Sequence, residues 1–315
     1  TYTDVDRLGG LISSSTTSNI RIIEAGAGVN VSMAAAGTTD INTLLQNANG
    51  GPAVVDVGVG NTLRLGAAGG ILLPAASTDL TISNGTLTAG GNAVANNPGR
   101  IAMTNYHATN PVTIGSVIAN NGSGIVGVDV LGTGTTSLTG VNTYTDTTTI
   151  GTGATLQIGG AGQLGSGTYA VAITNNGSFK YSSSAAQTIT GVISGTGSVL
   201  KDGAGNLAMG SASFPGNTFT GGLTATNGLV TIQGNNTGTS VAGAGTLTIG
   251  TGATVRALSH NALGQGSGLL SPLFVNGGTF EGAEYNHINT ITMTGGTISP
   301  RSGITVADGL DMKVY

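Results

Sequence analysis

Short apolar pieces separated by turn residues fill most of this chain. In residues 191–233, pairs of Val, Ile or Leu are interrupted by Gly-Thr, Asp-Gly and Asn-Gly steps about every five to ten residues. Where the pieces alternate, as in LTAT at 223–226 and VTIQ at 230–233, apolar and polar side chains point to opposite faces of a strand. Each piece is too short to fold alone. We therefore predict strands stacked between neighbours that bury the apolar face, in an all-β solenoid.

The same pattern recurs at long range. VI at 117–118 followed by NTYT at 142–145 has the spacing of VI at 192–193 followed by NTFT at 217–220, at an offset of 75 residues. Internal self-similarity of this kind is typical of stacked repeat proteins. A turn of roughly 20 residues predicts about 15 turns, and strands ~4.8 Å apart predict a length on the order of 70 Å.

The repeat is not equally regular throughout. Residues 1–111 form a less regular part of the solenoid, with a helical decoration near residues 39–49, and residues 112–315 carry the clearer repeats. We interpret the two parts as one continuous solenoid, because a stacked repeat grows in one dimension and has no need of separate cores.

The helical decoration is predicted from capping and spacing. Thr39 or Asp40 provides an N-cap side chain, and Ile41, Leu44 and Leu45 share one face of a helix. A pair of glycines follows and ends the helix. This segment is the one short helix that the sequence predicts.

Composition excludes several other classes of protein. The chain has 315 residues, of which 57 are Gly, 38% are hydrophobic and 7% are charged. Intrinsic disorder needs low hydrophobicity and high net charge, so it is excluded. The glycines have no three-residue period, which excludes collagen. The absence of Cys fits export into an oxidising compartment.

Charge and hydropathy limit the partners. The net charge is −4, and the nine Lys and Arg residues are scattered singly, so no basic stripe is present to bind nucleic acid. No apolar run approaches the ~20 residues that span a bilayer, so we expect no membrane insertion of this segment. The chain begins at Thr1 without a signal peptide, and we expect either a processed or excised piece of a longer protein or a sequence whose start is missing.

Several segments carry a resemblance to a known family. SGTGSVLKDGAGNL at 194–207, followed by GNTFTGG at 216–222, resembles the autotransporter-associated β-strand repeat, which reads roughly G-x-G-x-L-x-K-x-G-x-G-x-L and then N-T-Y-x-G. NTYTD at 142–146 is similar to the latter half of a second copy, with Asp in place of the Gly. LGSG at 164–167 and LGQG at 263–266 are similar to a stretch often found downstream. The resemblance covers the region between Val112 and Ser302 and is thin before it.

The resemblance implies a fold and a setting. Members of the family form right-handed parallel β-helices in large secreted or surface-displayed bacterial proteins. The repeat belongs to passenger regions, where it acts as a stalk, as an aid to secretion, or as both. The family defines no catalytic residues, so none is carried over to this chain.

A search for catalytic chemistry finds one cluster worth weighing. Enzymes with this architecture stack carboxylates on adjacent turns, often beside a basic residue. The best set here is Arg256, His260, Glu281, Glu284 and His287, because Arg256 and Glu281 are 25 residues apart and His260 and Glu284 are 24 apart, about one turn. We favour a solvated polar loop with at most a surface ion pair.

The remaining candidates are weaker. Asp4 with Asp6, and Asp308 with Asp311, lack the six to eight oxygen ligands that calcium takes. Tyr285 is the best aromatic for stacking on a sugar ring in a chain without Trp. The sequence therefore predicts no catalytic, cofactor-binding or metal site, and no enzyme.

These observations lead to one functional prediction and two alternatives. We expect a structural or adhesive stalk or passenger segment of a bacterial surface protein, located outside the cell or on its surface. Its partners are other surface proteins, glycans or, end to end, further copies of itself. The first alternative is a filament subunit that assembles head to tail. The second is a polysaccharide-acting β-helix enzyme.

Overall fold

A computed structural model describes residues 1–91, 94–234, 239–265, 270–283 and 285–301, and the backbone of 311–314. The chain is all-β, with 51% of residues in strands and essentially no helix in the described part. Its parallel sheets stack as a β-solenoid of about 11 turns, which confirms the predicted fold class.

The turns are longer than the sequence suggested. Paired residues on one face lie from 17 positions apart (Tyr2 and Asn19) to 32 positions apart (Ala68 and Arg100). The expected 15 turns of roughly 20 residues were therefore too many. Long corners, such as residues 106–111, add residues between strands without adding a turn.

The chain divides into two compact units. The first comprises residues 1–157 and 161–166, and the second comprises residues 158–160 and 167–315. The predicted change in regularity at residues 111 and 112 falls inside the first unit.

Three faces of parallel strands make up the first unit. The first face holds β1 (Tyr2–Leu8), β3 (Asn19–Gly26), β6 (Thr43–Gln46), β9 (Ala68–Leu73), β12 (Gly99–Asn105), β15 (Val126–Gly132) and β17 (Thr148–Ile150). The second holds β2 (Leu11–Ile12), β4 (Val31–Met33), β7 (Ala53–Asp56), β10 (Leu80–Ser83), β13 (Val112–Ile114) and β16 (Thr135–Leu138). The third holds β5 (Thr38–Asp40), β8 (Thr62–Leu65), β11 (Thr86–Ala89) and β14 (Val117–Ile118). β18 (Thr155–Ile158) and a 3₁₀ turn (Gly165–Gly167) lie where the first unit passes into the second.

The second unit repeats this construction. One ladder holds β19 (Thr168–Tyr169), β22 (Gln187–Ile189), β25 (Leu207–Gly210), β27 (Gly228–Gln233) and β29 (Ala253–Ala257). Another holds β21 (Ser178–Tyr181), β24 (Ser198–Lys201), β26 (Leu223–Ala225) and β28 (Leu247–Gly250). Both ladders continue into the bent strands β30 (Leu273–Gly282) and β32 (Ile291–Pro300). β20 (Ile173–Asn175) pairs with β23 (Ile193–Ser194), and β31 (Tyr285–Ile288) pairs with β33 (Asp311–Val314).

The predicted helix near residues 39–49 is wrong. That segment forms β5 and β6, and Leu44 lies in register between Ile20 and Ile71 of the neighbouring turns. In a strand, Leu44 and Gln46 point into the core while Leu45 points outward. The parallel ladder bonds the backbone on both sides and buries Leu44 completely, and this tertiary pairing outweighs a local helix preference.

Buried amides organise several corners of the solenoid. Gln46, Asn105 and Asn175 each end a strand and are fully buried. Asn105 donates to the carbonyls of Asn110 and Thr135 at 2.9 and 2.8 Å, and its Oδ1 accepts from the backbone N–H of His107 at 2.8 Å. An inward amide thus forms hydrogen bonds with backbone groups that, because the chain turns at the corner, have no partner in the strand ladder.

Asparagine doublets recur at 96–97, 120–121, 175–176 and 235–236, and the side chains of those that the structure describes mainly bind backbone groups. Asn120 Oδ1 accepts from the N–H groups of Val126 and Thr145, and Asn176 Oδ1 accepts from the N–H of Thr196. The described doublets therefore behave as corner residues more than as stacked amide ladders. Outside the doublets, Asn42 Nδ2 does donate to Asn19 Oδ1 in the preceding turn, at 2.8 Å. The doublet at 235–236 lies outside the described residues.

Candidate functional site

The repeated N-T-aromatic motif makes similar contacts in both units, although the carbonyl bound by the asparagine Nδ2 differs by one position. In the first unit, Asn142 Oδ1 accepts from the N–H of Ile118 at 3.0 Å, and Asn142 Nδ2 donates to the carbonyl of Gln163 at 3.0 Å. In the second unit, Asn217 Oδ1 accepts from the N–H of Ile193 at 2.7 Å, and Nδ2 donates to the carbonyl of Val241 at 2.5 Å. Each buried amide therefore joins its own turn to backbone groups of the two neighbouring segments.

The residues after each asparagine complete the motif. The N–H of Thr143 donates to the carbonyl of Ile118 at 2.8 Å, and the N–H of Thr218 donates to that of Ile193 at 2.9 Å. The aromatic residue that follows is fully buried in both copies, as Tyr144 and as Phe219. The 75-residue offset read from the sequence is thus a repeat of one hydrogen-bonding arrangement.

The lysine of the longer motif segment is buried in the second unit. Lys201 ends β24 with no exposed surface, and its Nζ donates to the carbonyls of Gly203 and Asn227, the latter at 2.9 Å. Burial lowers the pKa of Lys201 below its ordinary value of 10.5, and the neighbouring Asp202 carboxylate opposes this shift. Gly228 leaves room for the ammonium, because a Cβ there would lie 3.0 Å from Nζ.

Most described basic side chains form ion pairs between turns. Arg7 pairs with Glu24, Arg21 with Asp4, Arg64 with Asp40, Arg100 with Asp129 and Asp146, Lys180 with Asp202, and Arg256 with Glu281. The scattered charges of the sequence are therefore brought together across the ladder, where opposite charges on neighbouring strands stabilise the register.

The most buried of these pairs lies in the first unit. Asp40 and Arg64 are register partners on β5 and β8, and both side chains are 9% exposed. Arg64 Nε donates to Asp40 Oδ1 at 2.6 Å and Nη2 donates to Oδ2 at 3.1 Å, while Nη1 donates to Asn121 Oδ1 at 3.3 Å. Two parallel bonds between a guanidinium and a carboxylate give the strongest geometry available to such a pair.

The predicted cluster around Arg256 is brought together only in part. Arg256 and Glu281 are register partners on β29 and β30, as their spacing predicted, and Arg256 Nε donates to Glu281 Oε2. The carboxylate raises the pKa of Arg256 through that hydrogen bond. His260 is exposed, whereas His287 is buried with its ring 5.0 Å from that of Tyr285. Glu284 lies outside the described residues.

The remaining candidates form an ion pair or lie outside the described residues. Asp4 is bound by Arg21 through two hydrogen bonds of 2.7 Å, which lower the pKa of that carboxyl group. Asp308 and the side chain of Asp311 lie outside the described residues. Among the residues that are described, no group of three or more His, Cys, Asp or Glu side chains is arranged to hold a metal ion.

Comparison with known proteins adds no relative. The chain matches no family model, and neither a curated protein nor a solved structure is found to be similar to it. Within the described ranges, no helix is long and apolar enough to cross a membrane.

These contacts act on the solenoid rather than on a ligand. The buried amides, Lys201 and the Asp40–Arg64 pair all bond to the chain's own neighbouring turns. The inward amides of Gln46, Asn105 and Asn175 were not predicted from the sequence. The complete burial of Lys201 was not predicted either. The only sequence signal for these residues is a polar residue at an inward position of an alternating strand.

Proposed function

We propose that this chain is a structural or adhesive segment of a bacterial surface protein, a β-solenoid stalk or passenger region that lies outside the cell. One observation carries the proposal. The asparagines of the N-T-aromatic motif, Asn142 and Asn217, make matching bonds between turns at the positions where the sequence resembles the autotransporter-associated repeat. Polar side chains directed at the protein's own backbone suit a load-bearing element.

The charge distribution supports the same proposal. The described arginines, with the exception of Arg301, and Lys180 are neutralised by carboxylates of neighbouring turns, and Lys201 is fully buried. Thr, Ser and Asn are the most frequent residues at the outward positions of the ladders, as in Thr254, Thr279 and Thr297, which are register partners on successive turns. A neutral hydroxyl-rich surface suits contact with glycans or other surface proteins.

Localisation on intact cells tests the proposal. Antibodies against the purified chain would be applied to intact and to permeabilised cells of the organism that encodes it, with and without external protease. We expect labelling of intact cells that external protease removes. Labelling that appears only after permeabilisation would overturn the proposal. A double variant, Asn142→Ala with Asn217→Ala, serves as the matched test of the motif and is expected to reduce the surface signal through a less stable solenoid.

The two alternatives stay predictions. For the polysaccharide-acting enzyme, the carboxylate of Glu281 already accepts a hydrogen bond from Arg256. Release of reducing sugar from acidic polysaccharides, abolished in Glu281→Ala, would favour that alternative. The head-to-tail filament requires that open strand edges at the two ends of the solenoid pair between copies.

A further inference from the structure

Leucine side chains line up on the outer side of the first face of the first unit. Leu45, Leu72, Thr104 and Leu131 are successive register partners on β6, β9, β12 and β15. Each lies between buried neighbours or at an outward position of its strand, and Leu131 is 37% exposed. Four neighbouring turns therefore present one column to solvent, which we call the leucine column, with a hydroxyl in place of its third leucine.

An aromatic ring flanks the leucine column where it is interrupted. Tyr106 comes two positions after Thr104, and its N–H donates to the carbonyl of Leu73 at 2.9 Å, so the ladder continues to this residue. The side chain of Tyr106 is 53% exposed, the largest exposed fraction among the described Tyr and Phe residues, followed by Tyr2 at 47%. The apolar surface of the column thus extends sideways at this turn.

Long corners border the same turns. The corners that follow β6, β9 and β12 each have six residues, whereas those that follow β1 and β15 have two. Bonds join the long corners to one another, because the N–H of Thr78 donates to the carbonyl of Ala48 at 3.2 Å and Asn110 Nδ2 donates to the carbonyl of Ser77 at 3.3 Å. These corners form a connected wall beside the column, which comprises residues 47–52, 74–79 and 106–111.

The wall is polar and almost uncharged. Its sequences NANGGP, PAASTD and YHATNP contain no Lys or Arg and one carboxylate, that of Asp79. The side chains of Asn47, Asn49 and Thr109 are exposed. An apolar strip with amide and hydroxyl groups along one side is the combination that binds an uncharged polar ligand, because the apolar part supplies contact area and the polar groups fix orientation.

The dimensions of the column favour a chain-like ligand. Neighbouring turns lie ~4.8 Å apart, which is close to the length of one sugar unit in an extended polysaccharide. Four turns extend over only about 15 Å, so the column is small beside the roughly 800 Å² per partner of a stable protein interface. A polysaccharide along the column can place the apolar face of one sugar on each turn and direct its hydroxyls to the wall.

We propose that the leucine column, Tyr106 and the wall form a binding site for a neutral polysaccharide that runs along the solenoid with one sugar unit per turn. The inference rests on the adhesive role proposed above. The ring of Tyr106 stacks on the sugar at the turn of Thr104, where the column itself offers a hydroxyl. Asn47, Asn49 and Thr109 exchange hydrogen bonds with the sugar hydroxyls.

Binding of the full chain to a printed array of neutral and acidic oligosaccharides tests the ligand class. We expect neutral oligosaccharides to bind, with an affinity that rises with ligand length up to about four sugar units and then levels off, because the column spans four turns. Tyr106→Ala should weaken binding at least about tenfold. The matched control is Tyr2→Ala, which removes an exposed ring outside the column and should leave binding unchanged. Far-UV circular dichroism and the thermal midpoint would verify that both variants are folded.

Several results would overturn the proposal. They are the absence of any bound neutral oligosaccharide, a preference for acidic ones, an affinity that does not depend on ligand length, and equal losses in Tyr106→Ala and Tyr2→Ala. Sedimentation over a concentration series tests the other occupant. We expect a monomer, and a dimer that Tyr106→Ala abolishes would show that a second copy covers the column.

The labelling of intact cells separates this site from the proposed function. A chain that is labelled on intact cells but binds no neutral oligosaccharide would refute the site and leave the surface role standing. Labelling only after permeabilisation, together with Tyr106-dependent binding on the array, would refute the surface role and leave the site standing.

Discussion

Among the residues that the structure describes, each unit buries one Arg or Lys side chain, and the two are bound in different ways. In the first unit, Arg64 faces the carboxylate of Asp40, its register partner one turn away, through bonds of 2.6 and 3.1 Å. In the second unit, the ammonium of Lys201 is bound by the carbonyls of Gly203 and Asn227. Arg64 is neutralised by a carboxylate on the neighbouring strand of the ladder. Lys201 is bound by backbone carbonyl dipoles at a corner of the solenoid.

The difference has consequences for stability. A buried ion pair depends on both partners, because removal of one leaves an uncompensated charge in the interior. A buried lysine bound to carbonyls can avoid the cost of a buried charge, because it can release a proton and become a neutral amine. The lowered pKa of Lys201 reflects this option.

Removal of the counter-charge of Arg64 is expected to have the largest effect. Asp40→Ala should lower the free energy of unfolding by about 3–5 kcal/mol, because the guanidinium remains buried without a carboxylate. The double variant Asp40→Leu with Arg64→Met should recover most of the loss. Urea unfolding followed by circular dichroism measures both. A single variant that costs less than about 1 kcal/mol would show that Arg64 reaches solvent.

A neutral contact between turns provides the next comparison. Asn217→Ala leaves the N–H of Ile193 and the carbonyl of Val241 without their bonds, and should cost about 2–4 kcal/mol. Asn142→Ala should cost somewhat less, because the carbonyls of Gly140 and Gln163 keep their bonds from backbone N–H groups and only the N–H of Ile118 loses its partner. Neither loss should depend on salt, because no charge is removed. Costs that differ by more than about 2 kcal/mol between the two would contradict the equivalence of the two motif copies.

Replacement of the buried lysine is expected to have a smaller effect. Lys201→Met leaves two carbonyls unsatisfied but removes an amine whose charged form is disfavoured by burial, so the net change should stay within about 1 kcal/mol at neutral pH. Chemical denaturation at fixed ionic strength measures the change. A loss as large as that of Asp40→Ala would mean that the two cations are held in equivalent ways.

The pH dependence separates the two cations further. Because the folded-state pKa of Lys201 is lowered, the unfolded chain binds more protons between that pKa and the ordinary value of 10.5. In this window the free energy of unfolding should rise with pH in the wild type, relative to Lys201→Met. Tyr181, whose pKa burial raises above 10.0, acts in the opposite direction at the upper end and calls for a Tyr181→Phe control. Parallel curves for wild type and Lys201→Met would contradict the lowered pKa.

The surface pair gives the smallest expected effect. The side chains of Arg256 and Glu281 are 35% and 20% exposed, so Glu281→Ala should cost less than about 1 kcal/mol and the cost should shrink in high salt. Thermal unfolding at low and high ionic strength measures it. A cost of several kcal/mol that is insensitive to salt would show that the Arg256–Glu281 pair behaves as a buried ion pair, like Arg64–Asp40.

Part of the candidate site followed from sequence spacing. Arg256 and Glu281 were predicted to lie one turn apart, and the register pairs them. The spacing of 24 residues predicted that His260 lies beside Glu284, which is outside the described residues, and His287 was placed in the same cluster; His260 is exposed and His287 is buried. Spacing alone fails there because turn length varies from 17 to 32 residues, so a fixed separation does not identify a register partner.

By itself, the sequence determined the all-β solenoid and the equivalence of the two motif copies, because alternation and frequent turn residues leave short strands no other way to bury their apolar faces. Tertiary structure alone decided that residues 38–46 form strands, since a ladder on both sides outweighs a local helix preference. It also decided which charges are buried. Asp40 meets Arg64, and Lys201 meets carbonyls, only once the register between turns is set, and that register depends on every corner of the chain.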